Sequence, residues 1–146
     1  LVDTTTFSEI GSLDLYIRPR INPTLSDFFV ALTKITQQQI DSEGIDFTDS
    51  WSRFNEWRGE RHAYAFGRDE LVIRENCELY NIPYQFDGSF FNIRELFDAY
   101  GIDTSQYYSS TITRAFGVEP EGSAHNGLSD ARSILRGLQL LRERVE

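Results

Sequence analysis

At 146 residues, 40% hydrophobic and 14% aromatic, the chain has the size and apolar content of one folded domain with a sizeable core. A formal charge of -9 excludes a protein that coats nucleic acid through a broad basic face, because that binding depends on neutralising phosphates; it leaves room for a nuclease whose acidic centre meets phosphate through bound cations. No apolar run approaches the roughly 18 residues of a membrane span, no secretory pattern stands at the start, and one cysteine makes no disulfide framework, so a cytoplasmic protein with no membrane partner is expected.

In chain order, LVDTT reads as a short strand. SLDLYIRPR reads as a second, because Leu13, Leu15 and Ile17 alternate with Ser12, Asp14, Tyr16 and Arg18 at the period of a half-buried strand. INPTLSDFFVALTKITQQQID begins with an Asn-Pro turn and continues at helical spacing, with Ser26 or Asp27 available as caps. Trp51, Phe54 and Trp57 mark an amphipathic helix, and core packing is the expected role of its tryptophans in preference to base stacking. HAYAF predicts a strand, and RDELVIRENCELYNIP predicts a helix stopped by Asn81 and Pro83, with Cys77 as a buried thiol. SFFNIRELFDAYGI predicts a strand running into a helix that ends at Gly101, and SSTITRAFGV a short helix. The terminal LSDARSILRGLQLLRERVE is helical, with a stripe of Ala131, Ile134, Leu135, Leu138 and Leu141. Without linker, repeat or low-complexity segment, this order predicts a single α/β domain, a mixed sheet with helices on its faces.

Three carboxylates stand where local rules favour other residues. Asp130 begins the face that the terminal stripe continues, so it points inward at a helix start. Asp69 does the same for the stripe Ile73, Asn76, Cys77 and Tyr80, and Asp3 lies inside the first strand, where aspartate is unfavourable. Helix capping explains Asp69 and Asp130 equally well. Grouped carboxylates suit Mg²⁺ or Mn²⁺, and a pair of such ions roughly 4 Å apart is a common device for breaking a phosphodiester. His125, five residues ahead of Asp130, is the candidate general base, since an unperturbed imidazole titrates near neutrality. His62 has no such neighbour and is read as structural. The 13 arginines to one lysine fit bidentate phosphate contacts but carry little weight.

The string AHNGLSDARSI resembles the last motif of the DEDDh 3′-to-5′ exonucleases, in which a histidine precedes the final aspartate by five positions as a helix begins. The resemblance covers nearly the whole chain. YIRPRINPTLSDFFVALTKITQQQID is similar to the enhanced-RNAi subgroup, FGRDELVIRENCELYNIPY to the second motif, and LVDTT to the first. It implies a ribonuclease-H-like α/β fold with a five-stranded mixed sheet flanked by helices, forming one exonuclease domain over 1–146. It also implies Asp3, Asp69 and Asp130 as metal ligands, His125 as the base, Mg²⁺ or Mn²⁺ as cofactor (two ions), and single-stranded nucleic acid 3′ ends as substrate.

Two positions depart from the pattern. Thr5 stands where the first motif has a glutamate, and Asp69 follows Gly67 by two residues where the family has three; Glu70 restores the spacing but leaves the helix face shared with Ile73. Glu9 resembles a second-strand glutamate of the family and is not assigned as a ligand. The interval from Asp3 to Glu9 is very short for two strands and a turn, and no methionine occurs, which a longer polypeptide with further residues near 3–9 and between Gly67 and Asp69 would explain. The leading expectation is a metal-dependent exonuclease releasing nucleoside 5′-monophosphates. The alternative is a degenerate member of the fold that binds protein or nucleic acid without cutting. RNA and DNA are not distinguished, since 2′-OH recognition depends on pocket geometry.

Overall fold

The computed structural model describes residues 1–145. The segment expected as one helix after the Asn-Pro turn is two, α1 (Asp27–Thr33) and α2 (Gln37–Glu43). Ser26 caps the first through its hydroxyl. Lys34, at φ 64°, turns the chain left-handed and ends it, and Thr36 with Gln39 forms a reciprocal capping box that restarts it. Next come α3 (Phe47–Arg58), β1 (Ala63–Ala65), α4 (Asp69–Tyr80), β2 (Phe90–Asn92) and α5 (Arg94–Ala99). A 3₁₀ turn (Thr104–Gln106), a 3₁₀ helix (Ser109–Phe116) and α6 (Gly127–Val145) complete the chain. Asn81 stops α4 in the left-handed conformation, as its place ahead of Pro83 predicts.

The sheet departs from expectation. Among the described residues it has two strands, β1 and β2, parallel, with Ala63 opposite Phe90 and Ala65 opposite Asn92. The five-stranded sheet is not formed. LVDTT and SLDLYIRPR contribute only single bridges, Val2 to Glu9 antiparallel and Ile17 to Ile45 parallel. The reason is local: the Asp3 N–H donates to the Ser8 carbonyl at 3.0 Å and the Phe7 N–H to the Asp3 carbonyl at 2.8 Å, so the chain reverses after one pair and leaves no length for a ladder.

The two strands separate two apolar clusters. On one side Phe47, Trp51, Cys77 and Phe86 are buried between α3, α4 and the segment before β2, with Ala63 and Phe90 packed against them. Trp51 stacks on Phe47 and donates its indole N–H to the Pro83 carbonyl at 3.3 Å, which confirms the core reading. On the other side Ile93, Phe97, Ile102, Ile112 and Leu141 join α5, the 3₁₀ helix and α6, with Phe66, Ile134 and Leu138 against them. Helices therefore pack around the parallel pair, while Tyr64 and Phe91, opposite each other at its centre, stay exposed on one face.

The inward face of α6 runs through Ser133, Gly137, Leu140 and Leu141, whereas Ala131 is exposed. Gly137 is the contact point: a Cβ there would lie 3.1 Å from Ile112 Cγ2 and 3.2 Å from Phe97 Cζ. Gly137→Val should cost about 1–3 kcal/mol, the scale of overpacking, measured as a lower urea midpoint. An unchanged midpoint would mean that α6 can shift without loss.

Candidate active site

Asp69 is the first residue of α4, separated from the end of β1 by three residues. The strand ends are tied together here: Asn92 Oδ1 accepts the Gly67 N–H at 3.0 Å and the Arg94 N–H at 3.2 Å. Asp69 thus sits off the carboxyl end of the parallel strands, where α/β sheets place their ligands. It makes no capping hydrogen bond; Arg68 occupies the cap position without one either. Glu70 is engaged elsewhere, its carboxylate 2.9 Å from Arg74 Nε.

Asn126 caps α6. Its Oδ1 accepts the Ser129 N–H at 3.0 Å, and its carbonyl accepts the Asp130 N–H at 2.8 Å. Asp130 therefore lies one turn inside the helix, on the same face as the buried Ser133 and Gly137, and capping does not account for it. Its Oδ1 is buried with no hydrogen-bond partner. A cavity of about 220 Å³ adjoins it, lined among others by Ser110, Arg114, Glu119, Ser129 and Ser133. His125 is exposed on the loop ahead of α6 and holds φ 62°, a left-handed conformation uncommon for a non-glycine residue and frequent at functional loops. Gly122, in the same loop, has φ 85° and approaches α6 so closely that a Cβ would lie 2.5 Å from Ser129 Oγ.

Asp3 behaves differently. Its Oδ1 accepts from Thr5 N at 2.9 Å, Thr6 N at 2.8 Å and Thr6 Oγ1 at 3.0 Å, so the carboxylate is folded into its own turn. Glu9 is held by Arg132 through two bonds of 2.9 Å. His62 is exposed beside the Phe91 ring, 5.3 Å between centroids.

Electrostatics divides these carboxylates by cause. The Thr6 backbone and hydroxyl, then Thr5, hold Asp3 below the ordinary range, and the Arg132 guanidinium does so for Glu9. Thr104 lowers Asp98, and Ser105 with Gln106 lowers Asp103. Asp69 and Asp130 move the opposite way. Desolvation raises both, although Asp69 keeps a solvent-exposed surface, and at Asp130 it outweighs the opposing pull of His125 and Ser109. Acids in which desolvation dominates collect at functional sites, and these two are the ones that the second and last motifs single out.

As a ready-made metal centre the arrangement is incomplete. Among the described residues no group of three His, Cys, Asp or Glu side chains is placed to hold a metal ion. The unpartnered oxygen of Asp130 suits a hard cation; at Asp3 three donors occupy Oδ1, which leaves Oδ2 for that role. The three carboxylates expected from sequence are thus not gathered into one metal-binding group among the described residues.

The RNase_T exonuclease family model matches residues 2–138. The chain belongs to that exonuclease family. Human 3′-5′ exoribonuclease 1 is 28% identical over 148 residues, a match covering 93% of this chain and 42% of the human protein. The probable 3′-5′ exonuclease KapD of Bacillus subtilis (strain 168) is 26% identical, covering 92% and 66%. This exonuclease-family chain thus spans less than half the length of the human relative. Among solved structures, the nuclease domain of 3′hExo, a DEDDh family member bound to rAMP, superposes with a TM-score of 0.82 at 27% identity, covering 97% of this chain and 77% of that one. The DEDDh superfamily and the ribonuclease-H-like α/β fold are thereby shown, even with a sheet reduced to two strands. Sequence reading missed Asn126 as the cap of α6, although Asn-x-x-Ser before a helical stripe is a capping pattern.

Proposed function

We propose that the chain is a 3′-to-5′ exonuclease that shortens single-stranded RNA or DNA ends and releases nucleoside 5′-monophosphates. The observation that carries this reading is Asp130: an inward carboxylate in the last motif of an exonuclease family, relieved of capping by Asn126, with a desolvated oxygen left unpartnered. His125, on the solvent side of the same segment, takes the proton of the attacking water. The water oxygen bonds to phosphorus, the 3′-oxygen of the preceding nucleotide leaves, and the terminal nucleotide departs as its 5′-monophosphate. Mg²⁺ or Mn²⁺, which Asp130, Asp69 and the outer oxygen of Asp3 would hold, would supply positive charge where the acidic site otherwise repels phosphate.

The test is shortening of a 5′-labelled oligonucleotide across a Mg²⁺ or Mn²⁺ titration. Removal of single nucleotides from the 3′ end, stopped by excess chelator, is expected. Cleavage that survives chelation would remove the metal from the reading. A second reading is favoured by the sequestered Asp3 and by Thr5 in the glutamate position: a member of the family that binds nucleic acid or protein and does not cut. Oligonucleotide binding without shortening at any metal concentration would select it.

A further inference from the structure

Helix α6 has a second working face. Arg132, Gln139 and Arg142 lie at i, i+7 and i+10, one stripe along the helix and separate from the stripe that meets the core. All three reach the turn that carries Asp3. Arg132 grips Glu9 through Nε and Nη2, each at 2.9 Å from a different carboxylate oxygen. Gln139 donates its amide to the Phe7 carbonyl at 2.7 Å, and Arg142 donates to the Thr5 carbonyl at 2.6 Å with its guanidinium 5.7 Å from the Phe7 ring centre. The turn itself is closed by Asp3, through Thr5 and Thr6. One helix therefore carries Asp130 on one face and fixes the backbone around Asp3 with the other.

We infer that Arg132 and Gln139 are positioning residues for catalysis, setting the turn of the first motif against the helix of the last. The inference rests on the exonuclease reading. Its physical basis is that, beyond its own backbone bonds, the Asp3 turn rests on α6, where Arg142 adds to the same clasp: Val2 to Glu9 is a single bridge, and Thr4, Thr5, Thr6, Ser8 and Glu9 are all exposed. An exposed ion pair adds little to global stability, so its loss should be felt in the placement of the turn and not in the fold.

The experiment compares the intact chain with Arg132→Gln, Arg132→Glu and the exchange Glu9→Arg with Arg132→Glu. In trimming assays the single variants should lose roughly 10- to 100-fold in kcat, the scale set by misplacing a reacting group by about 1 Å, with KM for a short oligonucleotide nearly unchanged. The exchanged pair should recover most of that loss. Backbone hydrogen exchange at Thr5 and Thr6 should quicken in the single variants and slow again in the exchange, while α6 stays protected. A wild-type kcat in Arg132→Gln, or an exchange no faster than Arg132→Glu, overturns the inference. Should Arg132→Glu fail to fold, Arg132→Gln decides alone, since it removes the pair without repulsion. An intact chain that does not trim would overturn the exonuclease reading and this role with it, an outcome distinct from an active chain whose variants match it.

Discussion

Asp130→Asn is expected to abolish 3′-end trimming while raising the melting temperature. The amide keeps the shape of the side chain and removes its charge, and loss of one preorganised electrostatic group costs roughly 10²–10³-fold or more in rate. The gain in stability follows from the buried, unpartnered Oδ1. Burial raises the Asp130 carboxyl above 3.8, so the folded state holds its proton more tightly than the unfolded state does. With that sign, the carboxylate destabilises the fold at neutral pH, and the penalty is relieved as pH falls through the raised value. Asn removes it at every pH, and a higher melting temperature at neutral pH is expected. Stability curves of the metal-free proteins should therefore converge as pH is lowered, while wild-type trimming, which needs the ionised carboxylate, declines over the same window. A variant that trims normally and melts lower would make Asp130 a structural residue.

Much of this was readable from residue order. The i, i+4, i+7 recurrence that marks α4 and α6 also aligns Asp69 with Ile73 and Cys77 and Asp130 with Ser133 and Gly137, because helical periodicity is local, although Asp69, at the end of its stripe, stays exposed. The same holds for the strand at HAYAF, for Cys77 in the core and for the stop at Asn81. The N-terminal strands were not readable in the same way. A period of two in SLDLYIRPR states a preference, but a strand needs a partner, and the partner depends on how the chain reverses between Asp3 and Ser8. The break between α1 and α2 was hidden for a related reason: the apolar spacing runs on through Lys34, and the Thr36–Gln39 capping box overrides it. The state of Asp3 lay beyond sequence altogether. Whether a carboxylate faces a ligand or its own turn is decided by three hydrogen bonds to Thr5 and Thr6, groups that the motif does not specify.

His125 gives the other large expected effect, and its backbone determines how the experiment is read. Replacing a general base removes on the order of 10²–10⁴ in rate, so His125→Ala should fall by that range with Mn²⁺ binding nearly intact. Alanine also pays for the left-handed backbone at φ 62°, which disturbs the loop that leads into Asn126 and Asp130. Asparagine tolerates that conformation far better, and it preserves the loop while lacking a titrating nitrogen. If His125 moves the proton, His125→Asn and His125→Ala should trim at the same low rate. If the loss comes from loop strain, Asn should recover trimming where Ala does not. If Mn²⁺ affinity drops as far as the rate, the imidazole is a ligand. Only the first outcome leaves His125 as the base, because only there does the rate follow the imidazole and neither the loop nor the metal.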